Sequence, residues 1–166
     1  MRKILLVLIA VLLLVAGCGS EQPKKPKEPP KQTIVFNMDG KTFVEKYNAL
    51  AKDNVKIKDP KIEKKKKVVY SCRIENKTEI MIVEEDNRIQ NVSTFTFLPF
   101  DEKLFNAVHE PIVGVLNPEH PRKMAIVLGL YLPGVKNFQD STTQGNVHYD
   151  TKESNGVITV RITPAK

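Results

Sequence analysis

Hydrophobic and polar positions divide this chain into blocks of different period. Ile4 to Ala16 is an unbroken run of 13 apolar residues. Residues 19–32 follow with four prolines, four lysines and no side chain that could enter a core. From Gly40 to Asp53 the period becomes helical: Phe43, Tyr47, Leu50 and Ala51 recur on one stripe with Val44 beside them, and Asp39 or Thr42 is placed to cap the start. Three stretches rich in β-branched and aromatic residues come next, Val68–Ile74, Thr78–Val83 and Arg88–Phe97. The short polar segments between them, Glu75-Asn-Lys77 and Glu84-Glu-Asp-Asn87, predict an antiparallel three-stranded meander.

Alternation assigns one face of this meander to Val68, Tyr70, Cys72 and Ile74, with Ile80, Ile82, Ile89, Phe95 and Phe97. Asn91 and Ser93 interrupt that face on the third strand, which leaves its register open. Asp101 heads a second helical stretch through Leu104, Phe105, Val108, Ile112, Val115 and Leu116, in which Pro111 should kink the helix or split it. Asn117-Pro118 suits the start of another helix through Met124, Ile126, Val127, Leu128 and Leu130, ended by Pro133-Gly134. After a polar stretch, Asn146–Thr151 and Gly156–Ile162 read as a hairpin turning at Ser154-Asn155-Gly156. The predicted fold class is α+β. A three-stranded meander plus a C-terminal hairpin form an antiparallel sheet, with an N-terminal helix and a central helical pair packed on one face. Residues 33–166 would form this single domain, long enough to bury roughly two-thirds of its unfolded surface without disulfides.

The N-terminal block is an address. Arg2 and Lys3 precede the apolar run, as in an export signal, and the run is shorter than the ~20 residues that a membrane-crossing helix needs. Val15-Ala16-Gly17-Cys18 resembles the lipobox of bacterial lipoproteins, with small residues ahead of a cysteine. The resemblance covers these first 18 residues and no more. It implies that residues 1–17 are a cleaved signal peptide and that the Cys18 thiol carries a diacylglyceryl group. Further acylation, with palmitate for example, would make the anchor stable, because two chains hold a protein firmly where one holds it marginally. Gly19 is not the aspartate that marks retention at the inner membrane in two-membrane cells. The implied location is the cell envelope, on the outer face of the cytoplasmic membrane or at the outer membrane. Residues 18–32 would be the lipidated cysteine and its tether, able to hold a domain up to ~40 Å from the bilayer at ~3.1 Å per residue of polyproline II.

Charge sharpens this division. The 26 basic and 19 acidic residues give +7, of which the signal and the tether carry +2 each. The domain retains +3, made of +5 on residues 52–67 and −2 elsewhere. That lysine-rich segment contains no aromatic residue to stack on bases and no arginine to grip phosphate in bidentate fashion, so nucleic acid is excluded as the expected partner. A solvated loop is its plainer reading. Its functional reading is contact with lipid head groups, teichoic acid or another anionic envelope polymer, through Lys64, Lys65, Lys66 and Lys67.

No motif in the remainder defines a chemistry. Cys72 is alone in the domain and sits on an apolar strand face, as a small core residue would. His109, His120 and His148 lack metal-ligand spacing, and no metal or cofactor is expected. Gly40-Lys41-Thr42 has Val35 where a phosphate-binding loop needs its first glycine. Glu84-Glu85-Asp86 has neither the spacing nor the glycine of a calcium loop and reads as a solvated turn. The expected function is therefore non-catalytic binding of an envelope protein or anionic component by a membrane-anchored domain. Two rivals stand beside it: an envelope hydrolase built from scattered Glu, His and Asn side chains, and a carrier in which helices over 101–132 cover a lipid cavity.

Overall fold

A computed structural model of the protein describes residues 34–119 and 138–165. The expected signal and tether, most of the expected second helix of the central pair, and His120 lie outside the described residues. The described chain is α+β: two α-helices accompany one antiparallel sheet of seven strands. Helix α1 (Gly40–Leu50) and a 3-10 turn (Asp53–Val55) lead into β1 (Lys61–Lys64), β2 (Val68–Ile74), β3 (Thr78–Glu85) and β4 (Arg88–Phe97). Helix α2 (Glu102–Leu116) precedes β5 (Gln139–Gln144), β6 (Val147–Ser154) and β7 (Val157–Pro164). The strand order is β1-β2-β3-β4-β7-β6-β5, so two meanders join through β4 and β7. No helix among the described residues is long and apolar enough to cross a membrane.

Local chemistry sets the element ends. Asp39 Oδ1 accepts from the Thr42 backbone N–H at 2.7 Å and Asp101 Oδ1 from that of Leu104 at 3.0 Å, so each helix has an acidic N-cap. Both carboxyls are held below the usual carboxylate range, first by these backbone N–H groups. The β3–β4 and β6–β7 hairpins turn on Asp86-Asn87 and Asn155-Gly156, all four at positive φ as two-residue mirror-image turns require.

Three strand expectations change. The meander has four strands, because Lys61–Lys64 pairs with β2. The C-terminal hairpin is a three-stranded meander, because the polar stretch contains β5. Both added strands are sheet edges whose exposed polar side chains carry no burial pattern, while their backbones still join the ladder. A β-bulge between β3 and β4 changes the third face. Val83 pairs with Asn91 and Glu84 with Ile89, leaving Gln90 as the extra residue. Beyond it the inward positions are Val92, Thr94 and Thr96, while the side chains of Phe95 and Phe97 lie on the opposite face, half-buried.

The helical expectations change less. Pro111 lies inside a single helix and does not split it. Phe105, Val108 and Ile112, on both sides of the proline, are fully buried, and this shared packing holds the axis together. Asn117, expected to start a helix, is instead the C-cap of α2: its N–H returns to the Val113 carbonyl, and its Nδ2 donates to the Gln144 carbonyl at 2.7 Å.

Phe43 and Tyr47 of α1 and Phe105, Val108 and Ile112 of α2 share one core with Ile80, Ile82, Ile89, Val92, Tyr149, Val160 and Ile162 of the sheet. The lysine-rich segment is fastened to it rather than loose. Val55 and Ile57 are buried, and Tyr47 Oη donates to the Val55 carbonyl at 2.9 Å. Asn48 exchanges two hydrogen bonds with the backbone of Ile57.

Glu84 also departs from the solvated turn expected of it. It is buried and accepts from the Gly40 N–H at 2.7 Å, while the Tyr70 hydroxyl hydrogen-bonds the same carboxylate. Gly40 must be glycine for this contact, since a Cβ there would run into the Tyr70 ring. Losing the carboxylate strands a buried donor at a helix N-terminus, so Glu84→Ala is expected to cost ~2 kcal/mol. Urea midpoints measure this, and Glu84→Gln, which keeps an acceptor, should recover part of the loss.

Candidate functional site

Lys64 closes β1, and residues 65–67 make the turn into β2. All four lysines are exposed. The ladder places them at one sheet end, because Lys64 pairs with Val68 and Val68 with Glu84, one residue short of the β3–β4 turn. Lys67 Nζ bonds Glu85 at 3.0 Å across that end, and Lys61 Nζ bonds Glu63 at 2.8 Å. No ion pair among the described residues uses Lys64, Lys65 or Lys66. The feature is a set of unpaired cations on a hydrogen-bonded hairpin, which orders their backbone while leaving the ammonium groups in water.

An open groove of about 680 Å³ runs between the C-terminal end of α1 and the outer flank of α2. Leu50, 57% exposed, forms its apolar wall, and Lys52, Glu102 and Glu110 add charges of both signs. Pro111 has no N–H for the Ala107 carbonyl, and both residues border this groove. The mixed lining and wide mouth suit a contact surface better than an enclosing pocket. Beneath α2 the side chains of Phe105, Val108 and Ile112 are fully buried in the core, and the later part of the helical cover expected over 101–132 lies outside the described residues.

The described histidines separate into two kinds. His109 is wholly buried on α2 and stacks on Phe105 with ring centres 3.9 Å apart. Its Nδ1 lies 2.7 Å from the Phe105 carbonyl, so Nδ1–H donates there and Nε2 accepts from the Thr94 hydroxyl, also at 2.7 Å. Burial depresses its pKa to about 4, fixing the neutral ring as a structural group.

His148 faces outward between the buried Val147 and Tyr149. It lies 2.8 Å from Thr143 Oγ1 at Nδ1 and 3.2 Å from Asp150 Oδ1 at Nε2. This hydroxyl–imidazole–carboxylate chain is the nearest approach to a nucleophilic constellation, and spacing alone did not disclose it because Thr143 comes from the unpredicted β5. The chain lies exposed across an edge hairpin, beside an open recess of about 420 Å³ lined by Thr143, His148, Thr163, Pro164 and Ala165. It lacks the water-excluded setting that makes such a chain potent.

Cys72 packs against the core but is only partly buried, with Sγ 3.6 Å from the Lys58 carbonyl oxygen. No histidine is its hydrogen-bond partner among the described residues. No three His, Cys, Asp or Glu side chains converge to hold a metal ion among the described residues. Cys18 lies outside them, so its role rests on sequence.

The chain matches no family model, and neither the curated proteins nor the solved structures contain a significant match to it. What the fold defines is the class: an α+β domain with one seven-stranded antiparallel sheet.

Proposed function

We propose that this protein is a bacterial envelope lipoprotein, anchored through Cys18, whose domain binds an envelope protein or anionic component without transforming it. The observation that carries the reading is Val15-Ala16-Gly17-Cys18, set between a charged apolar leader and a proline–lysine tether. An acyl anchor restricts the domain to a layer tens of ångströms deep, where a weak partner is met often enough to be useful. Support for binding comes from the surface: exposed cations on an ordered hairpin and an open, mixed-charge groove.

The test separates binding from turnover. Immobilised full-length protein should retain an envelope component at low ionic strength and release it chemically unchanged at high salt. Retention of nothing would end the binding reading. Recovery of cleaved material would favour the hydrolase, with Thr143, His148 and Asp150 as the residues to substitute first.

A further inference from the structure

The first described residues of the domain and the lysine hairpin lie at the same end of the sheet. Phe36, three residues into the domain, forms a β-bridge with Ile89, directly after the β3–β4 turn. Its N–H donates to the Ile89 carbonyl at 2.9 Å, and the Ile89 N–H returns to Met38 at 2.9 Å. The first described residues therefore lie beside the β3–β4 turn, where Val35 borders a recess with Asp86 and Arg88. The β1–β2 turn lies at this end too, tied to it by the Lys67–Glu85 ion pair. Two apolar side chains belong to the same region: Ile34, 46% exposed, and Ile62 of β1, 48% exposed.

Charge is not shared equally between the two ends. At the tether end, pairing accounts for Lys61 and Lys67, leaving Lys64, Lys65, Lys66 and Arg88 against the exposed Asp86. At the opposite end, Lys77 is paired with Asp101 at 3.7 Å, and the exposed Lys103 and Lys152 stand apart on α2 and β6 rather than in one hairpin.

We infer that this end is a membrane-facing surface: the hairpin Lys64–Lys67 and Arg88 settle on anionic phospholipid head groups of the same bilayer that holds the acyl chains. The inference rests on the anchor reading for its choice of partner. A surface tethered within ~40 Å of head groups meets them before any freely diffusing polymer, and cations flanked by exposed isoleucines suit the boundary between head group and acyl chain. Docking would fix the orientation of the domain, turning the α2 N-terminus and the Asn155-Gly156 turn away from the membrane.

Amine-reactive footprinting read by mass spectrometry tests this on the full lipidated chain. The protein is reconstituted in vesicles of phosphatidylcholine alone or with one-third phosphatidylglycerol. Lys64, Lys65 and Lys66 should react about fivefold or more slowly on the anionic vesicles, the factor that follows from the attraction of one lysine near such a surface. Lys103, at the opposite end, should react equally on both, and 1 M salt should abolish the difference. Equal rates on the two vesicles, or equal slowing of Lys103, would overturn the inference. So would slowing by soluble poly(glycerol phosphate) with none on vesicles, which would assign the hairpin to a polymer. Flotation with phosphatidylcholine vesicles reports the anchor separately. If the chain fails to float, the anchor reading has failed, and the hairpin is judged by its rates with anionic vesicles against vesicle-free solution.

Discussion

Between pH 6.5 and pH 4 the protonation of His109 is expected to cost the domain about 3 kcal/mol of stability. The sign follows from where the proton binds. In the unfolded chain the ring titrates near 6.5, whereas in the fold burial lowers it to about 4. In that window unfolding takes up one proton, so stability is complete above the upper value and falls as pH drops to the lower one. The slope should approach 1.4 kcal/mol per pH unit in the middle of the window. Asp39, Asp53, Glu63 and Asp101 are also held below their ordinary values, so their own loss of stability begins at the acid edge of this window and His109 sets the slope in its upper part. Urea unfolding at half-unit steps from pH 4 to 7.5 measures the slope. His109→Gln, which retains a donor and an acceptor, should flatten it. A variant that keeps the wild-type slope would show that another group takes up the proton.

Cys18→Ser is expected to shift the protein almost completely out of the mature, membrane-held form. Each methylene of a buried acyl chain contributes about 0.8 kcal/mol, so losing two chains removes far more than tether lysines at about 1 kcal/mol each can replace. Intact-mass measurement should find the wild type cleaved before Cys18 and heavier by its lipid, and the variant neither cleaved there nor lipidated. In fractionation, the wild type should enter the detergent phase. A Cys18→Ser variant with the wild-type mature mass would remove the anchor reading and with it the proposed location.

How much of this was legible in the sequence depends on which positions carry burial. The boundaries of β2 and β4 follow from their β-branched and aromatic runs, and the Asn155-Gly156 turn from its residues, because apolar runs stand out against the polar turns beside them. Strands β1 and β5 have no such contrast: Lys61–Lys64 is exposed throughout, and Gln139–Gln144 largely so. Only backbone pairing makes them strands, and pairing leaves little trace in side-chain chemistry. The bulge at Gln90 reverses the phase of β4 by adding one residue, a shift that alternation cannot see when Asn91 and Ser93 already break the pattern.

The candidate site was legible in the same uneven way. The lysines themselves are plain in the sequence. Their fixed place beside the incoming chain depends on the Phe36–Ile89 bridge, which joins positions 53 residues apart. Glu84 and His109 were unreadable for the related reason that their partners, Gly40 and Thr94, are distant in sequence. A polar residue becomes structural when a remote donor or acceptor is brought to it, and no local window contains that fact.

The junction of β4 with β7 has a consequence in time. Val92 pairs with Ile162 and Phe97 with Val157, so the strand that completes the middle of the sheet is synthesised after the other six described strands. Ile158, Val160 and Ile162 cannot join the core before residues 157–164 have left the ribosome. Until then β4 has an open edge and α1 and α2 have only part of a sheet to cover. Such long-range pairing makes folding slow to begin. If the chain is exported N-terminus first, as proposed, that delay would keep it threadable until β7 is through.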